Sequence, residues 1–169
     1  PDITGTGHQP MGFDQIMPFY EHYHVLHCSA HVTFQNRTAA YRGYVGLKIT
    51  PDTALPANSD DLVEEGRAVV DPIGGGNDAF NGSKVLKCSV NVPLVNGLSR
   101  ANFLANDGMR GTISSNPTEQ TYLHVCAWSP AGQNLDVEFN IVLEYTAVFT
   151  EPRNLVNSSK ILGDIAIKE

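Results

Sequence analysis

The sequence predicts an all-β fold: an eight-stranded antiparallel jelly-roll sandwich with short helical turns in its loops, forming one domain over residues 1–169. Three observations carry this prediction. Apolar and polar residues alternate with period two in run after run, as they must where one face of a strand meets a core and the other meets solvent. The runs are separated by segments rich in turn formers, drawn from 15 glycines and 10 prolines. Helical periodicity is scarce, so the strand–helix–strand alternation of parallel sheets is missing.

Along the chain, residues 13–20 allow about one helical turn before Pro18 interrupts it. Residues 24–34 then alternate, with Leu26, Cys28, Ala30, Val32 and Phe34 on one face and His27, Ser29, His31 and Thr33 on the other. Over 39–49, Tyr41, Val45, Leu47 and Ile49 face away from Arg42 and Lys48. Val69 and Val70 mark a short strand, weakened by Gly66. Over 84–92, Leu86, Cys88, Val90 and Val92 oppose Val85, Lys87, Ser89 and Asn91. Residues 98–106 suit a short helix stopped near Gly108. Residues 122–128 are apolar on both faces apart from His124, as in a central or covered strand. The longest run, 135–149, is apolar at every odd position, and at ~3.3 Å per residue it spans roughly 50 Å. The connections over 50–62 and 93–121 are too long for hairpins and suit a double Greek key; Trp128 follows all three cysteines, which is not the immunoglobulin order. In this register Leu26, Val32, Leu86, Val90, Phe139, Ile141 and Leu143 share one core, and Phe139→Ala is expected to cost ~3–5 kcal/mol.

Charged residues are 17% and hydrophobic ones 41%, which excludes a coiled coil, a collagen and wholesale disorder. The net charge of −7 argues against a phosphate-binding surface made by this domain alone. No stretch reaches the about 18 apolar residues of a membrane helix, so no membrane partner is expected. Cys28, Cys88 and Cys126 are too few and too far apart for a disulfide framework or a CxxC metal pattern, and read as free buried thiols. His22 and His24 have the H-x-H spacing that binds metal in cupins, but no carboxylate follows a few residues on, and His27 and His31 lie roughly 13 Å apart. Asp60, Asp61, Glu64, Glu65, Asp71 and Asp78 crowd one third of the chain. They match no EF-hand and read as solvated loops, with a calcium ion shared between subunits as the other option. Gly74-Gly75-Gly76 lacks the Lys-Ser/Thr of a P-loop, and there is no GxSxG or HExxH, so neither an enzyme nor a resident cofactor is expected.

One segment is distinctive. Gly7-His8-Gln9-Pro10-Met11-Gly12-Phe13-Asp14-Gln15, followed by Tyr20 and by Tyr23-His24-Val25, resembles the capsid proteins of small circular single-stranded DNA viruses, the circovirus-like group that encodes a replication initiator. In that family such a stretch leads into the first jelly-roll strand, and the closing Glu144-Tyr145-Thr146-Ala147-Val148-Phe149-Thr150-Glu151-Pro152 resembles the last strand of such shells. The resemblance implies a T=1 icosahedral homo-oligomer of about sixty copies around a single-stranded DNA genome. It also implies location in the virion, assembly in the host nucleus or cytoplasm, and a host cell-surface receptor as a further partner. Family members usually begin with an arginine-rich arm; here no Lys or Arg precedes Arg37, so a basic segment ahead of Pro1 is expected.

The residues themselves suggest local roles. Pro10 and Gly12 stop regular structure, Phe13 anchors, and Asp14 is placed to cap the turn that begins at Gln15, as a plug over one end of the sandwich or as a subunit contact. Arg37, Arg42, Lys48, Lys84 and Lys87 are the candidates for genome contact, with base stacking on Tyr41, Tyr44 or Trp128. Two other functions fit the same fold class: a lectin-like module holding sugar at the tips 56–61 or 74–81, and the shell of a small RNA virus.

Overall fold

The computed structural model describes residues 9–38, 41–54, 56, 59–64, 66–75, 82–130 and 132–154. Within them the chain forms β1 (Tyr20–Asn36), β2 (Gly43–Thr50), β3 (Ala68–Ile73), β4 (Ser83–Asn91), β5 (Tyr122–Trp128) and β6 (Val137–Pro152). Among the described residues there are thus six strands rather than the eight expected, arranged as two three-stranded antiparallel sheets of order β4-β1-β6 and β3-β2-β5. Taken as β1–β2, β3–β4 and β5–β6, each pair has one member in each sheet, and β3–β4 flanks β1–β2 on one side while β5–β6 flanks it on the other. β4 therefore returns to lie beside β1, the defining adjacency of a Greek key.

The sheets meet over a core to which both contribute. Val32 and Phe34 of β1, Val45 and Leu47 of β2, Ile73 of β3 and Leu86 of β4 are all buried, with Ile141 of β6 packed against them. An ion pair of 2.8 Å between Lys84 of β4 and Asp71 of β3 ties the two sheets at one margin.

The even-numbered face of β1 does not extend to its start. The register against β6 slips between Val25 and His27, so Leu26 is an extra residue and the inward positions switch from odd, Tyr23 and Val25, to even, Cys28 onward. Leu26, and Val90 at the far end of β4, join a second cluster around Val92, Phe103 and Met109 instead of the main core. Phe139 also departs from expectation: it shares the inner face with Phe34, at 6.3 Å between ring centroids, but β6 is an edge strand and the ring is 55% exposed. Its truncation therefore cannot leave a core cavity of the expected size. Leu143 is only half-buried for the same reason. β5 is likewise an edge strand; its apolar second face is covered locally, with His124 buried and its Nε2 3.0 Å from the Asp52 carbonyl oxygen.

Four short helices punctuate the connections: α1 (Phe13–Ile16), α2 (Ser59–Glu64), α3 (Val92–Val95) and α4 (Arg100–Leu104). Pro18 is the second residue of a 3₁₀ turn, Met17–Phe19, directly after α1. α2 puts Asp60 and Asp61 in its first turn, where the helix dipole favours them. Asn91 and Ser99 cap α3 and α4, their side-chain oxygens accepting from the N–H groups of Leu94 and Asn102.

Candidate functional site

β1 and β6 are 17 and 16 residues long, while β2 has 8 and β5 has 7, so the first sheet overhangs the second. The N-terminal motif packs on that overhang. Gly12 has φ +83°, a conformation that side chains resist, and this lets α1 turn Phe13 inward onto Tyr23, edge to face at 5.3 Å. Met17 completes the cluster and is fully buried. Burial pushes the Tyr23 hydroxyl up to about 12. Asp14 does not cap the turn: the helix begins after Gly12 with no side-chain cap, and Asp14 instead accepts from the Gln9 amide at 3.0 Å. Gln9 and Pro10 are half-buried and Gln15 is exposed, whereas Gly7 and His8 lie outside the described residues.

Beside this brace runs an open groove of about 1210 Å³, lined in part by Met11, Phe13, Cys28, Leu143, Tyr145 and Phe149. All three cysteines are free, and burial, with Cys88 nearby, raises the Cys28 thiol to about 11. A thiol so placed is protonated and unreactive at neutral pH.

On the opposite face of β1, His22 and His24 point the same way, as period two requires. His22 Nδ1 lies 3.1 Å from Glu151 Oε2, and Glu151 Oε1 is 3.3 Å from Arg110. Glu21, His22 and Glu151 bring ligand atoms within 4.8 Å of one another, the only such group of three among the described residues. The Arg110 guanidinium already engages Glu151, so the arrangement is an ion-paired network with a cation in place. His24 is 2% exposed, packs 6.0 Å from the Phe103 ring and has no hydrogen-bond partner at either nitrogen. Desolvation above all, then the charges of Arg110 and His22, hold its pKa below the ordinary value, against an opposing pull from Glu151. The H-x-H spacing was the one sequence signal for this pocket; Arg110 and Glu151 reach it from distant parts of the chain.

The basic candidates do not converge. Arg37 pairs with Glu138 at 2.8 Å and Lys84 with Asp71, so both are neutralised by neighbours. Lys48 is 4% exposed on the outer face of β2, Arg42 is engaged in an interaction of its own, and Lys87 stands on the outer face of β4 opposite His31. The aromatic positions fare better: Tyr44 stacks on Trp128 at 5.8 Å with the rings 20° apart, and Tyr41 and Tyr44 are both exposed. The Trp128 ring lies over Gly46, where a Cβ would come within 3.2 Å of it and 2.7 Å of Leu62. Among the expected acidic positions, Asp71 is engaged by Lys84 and Asp60, Asp61 and Glu64 belong to α2, while Glu65 and Asp78 lie outside the described residues.

These features define an antiparallel β-sandwich with a braced overhang and an aromatic stack at one end. Compared with known proteins, the chain matches no protein family and no curated sequence.

Proposed function

We propose that the protein is the shell subunit of a small icosahedral virus, about sixty copies of which close around a single-stranded DNA genome. The observation that carries this reading is the segment Gln9–Gln15: the residues that resemble the circovirus-like capsid proteins act as a brace at the entry to the first long strand, with Gly12 at positive φ and Phe13 buried on Tyr23. The motif is structural rather than chemical, as a shell protein requires. The finer architecture under this reading is the jelly roll, and the nested pairing of β1–β2 with β3–β4 and with β5–β6 supports it, because a jelly roll is a paired ribbon wound across two sheets. DNA as the packaged genome rests on the resemblance alone. At a net charge of −7, the cations that neutralise phosphate must come from another segment or another molecule.

Particle formation tests the proposal. The expressed protein should give uniform spheres of roughly 20 nm and a mass on the order of a megadalton by light scattering and electron microscopy, as closed symmetry of about sixty subunits demands. Protected nucleic acid should be digested by DNase after the particles are opened. Monomers or dimers alone, over a range of salt and pH, would overturn the shell reading.

A further inference from the structure

We propose that Glu21, His22, His24 and Glu151 form a site for one divalent transition-metal ion of the zinc type, which pins the start of β1 to the end of β6. The H-x-H pair has no carboxylate following it in sequence, and the fold brings one to it from 129 residues away. β1 and β6 pair Tyr20 with Pro152 and His22 with Thr150, so Glu21 and Glu151 stand at one rung between them. Like charges directly opposite each other destabilise a ladder, and a shared cation reverses that effect. Glu151 has a left-handed φ of +57°, which takes its side chain out of strand alternation, and its Oε2 lies 3.1 Å from His22 Nδ1. Around a tetrahedral zinc with bonds of about 2.0–2.1 Å, donor atoms lie about 3.3 Å apart, so these two already have the separation of neighbouring ligands. A Glu21 oxygen is within 4.8 Å of both, on an exposed side chain free to close the remainder. Arg110 meets the other oxygen of Glu151, Oε1, at 3.3 Å and Asp107 at 3.1 Å. It therefore leaves Oε2 to the metal and fixes the carboxylate's orientation from outside.

A second observation points to a guest without reference to the carboxylates. Among the described residues, the buried side-chain polar atoms that lack a hydrogen-bond partner are His24 Nδ1, His24 Nε2 and Thr150 Oγ1. All three belong to this patch. His24 follows His22 on one face of β1, and Thr150 faces His22 across the ladder and shares that face. Buried groups left without partners are rare, and a bound ion is one of the few things that satisfies them. His24 thus supplies the fourth donor, and the Thr150 hydroxyl is placed as a hydrogen-bond partner for the ligands. His22 binds as the neutral tautomer with its hydrogen on Nε2, which frees the Nδ1 lone pair. Two imidazoles with two carboxylates select zinc-like ions over magnesium and calcium, which prefer all-oxygen shells. The two carboxylates also offset the ion's double charge.

The site is complete within one chain, so it stands or fails independently of the shell reading. The test is titration of the metal-free full chain with zinc chloride by calorimetry and with cobalt(II) chloride by visible absorption. One equivalent of zinc should bind with micromolar affinity or better, undisturbed by excess magnesium or calcium, and should raise the urea midpoint. Glu21→Gln, Glu151→Gln and His22→Ala should each weaken binding by more than ~10-fold, since even outer partners of a metal site are worth that much. His24 is packed in the interior, so the two exposed glutamates carry the test where a His24 variant fails to fold. His31→Ala, further along β1, should bind as the wild type does. Bound cobalt should show the strong visible bands of a four-coordinate nitrogen and oxygen site. A thiolate charge-transfer band would place the ion at a cysteine and overturn the proposal. So would the absence of saturable zinc binding, wild-type affinity in both glutamate variants, or a loss in His31→Ala equal to that in His22→Ala.

Discussion

His24 is a base enclosed where its charged form has neither water nor a hydrogen-bond partner. Its folded-state pKa is therefore lower than its ordinary value of 6.5. Below that value the unfolded chain binds a proton that the folded chain refuses, so stability falls as the pH drops from 6.5 toward the depressed folded-state value; above 6.5 both states are neutral and this contribution is absent. His24→Leu removes the linkage while filling the space beside Phe103. The expected outcome is a flatter dependence of the urea midpoint on pH between 6.5 and about 5 in the variant than in the wild type. Equal slopes would mean that His24 opens to solvent before it titrates.

At the scale of elements, β1 depends on contacts from the connection that follows α4. Tyr23 and Gly111 exchange backbone hydrogen bonds of 3.0 Å in both directions, and a Cβ on Gly111 would run into the Tyr23 ring. Gly111→Ala should thus destabilise the protein by about 1–3 kcal/mol in urea titrations, the usual cost of overpacking a rigid neighbour. Tyr23→Leu in the same chain should recover part of that loss, a coupling that additive effects would not produce. The period of the strands was legible in the sequence because it is set by burial, residue by residue: Val32, Phe34, Val45, Leu47 and Leu86 are core positions as alternation predicts. The bulge at Leu26 was not legible, since nothing in the sequence announces an extra residue and only the register against β6 reveals it. Phe139 shows the same limit from another side. Alternation gives the face a residue is on, and whether that face is covered depends on the strand's place in the sheet. The brace residues Gly12 and Phe13 could be picked out from the sequence; the Glu151–Arg110 contact, made between residues 41 apart, could not.

Over the whole molecule, acidic and basic side chains are interleaved so that Arg37 and Lys84 serve Glu138 and Asp71. With a net charge of −7 and no basic stripe among the described residues, the chain should bind a single-stranded oligonucleotide no more tightly than roughly 10⁻⁴ M at physiological salt, the weak end of sequence-independent binding. Fluorescence anisotropy with an end-labelled oligonucleotide measures this, and saturable micromolar binding would mean that Lys87, Arg42 and the exposed tyrosines form a working surface. The stack of Tyr44 on Trp128 has an optical consequence. Because the chain holds a single tryptophan, its intrinsic emission reports from one locus. Quenching on addition of a nucleotide would localise the contact to the end of the sandwich where β2 starts and β5 ends, making the protein its own label.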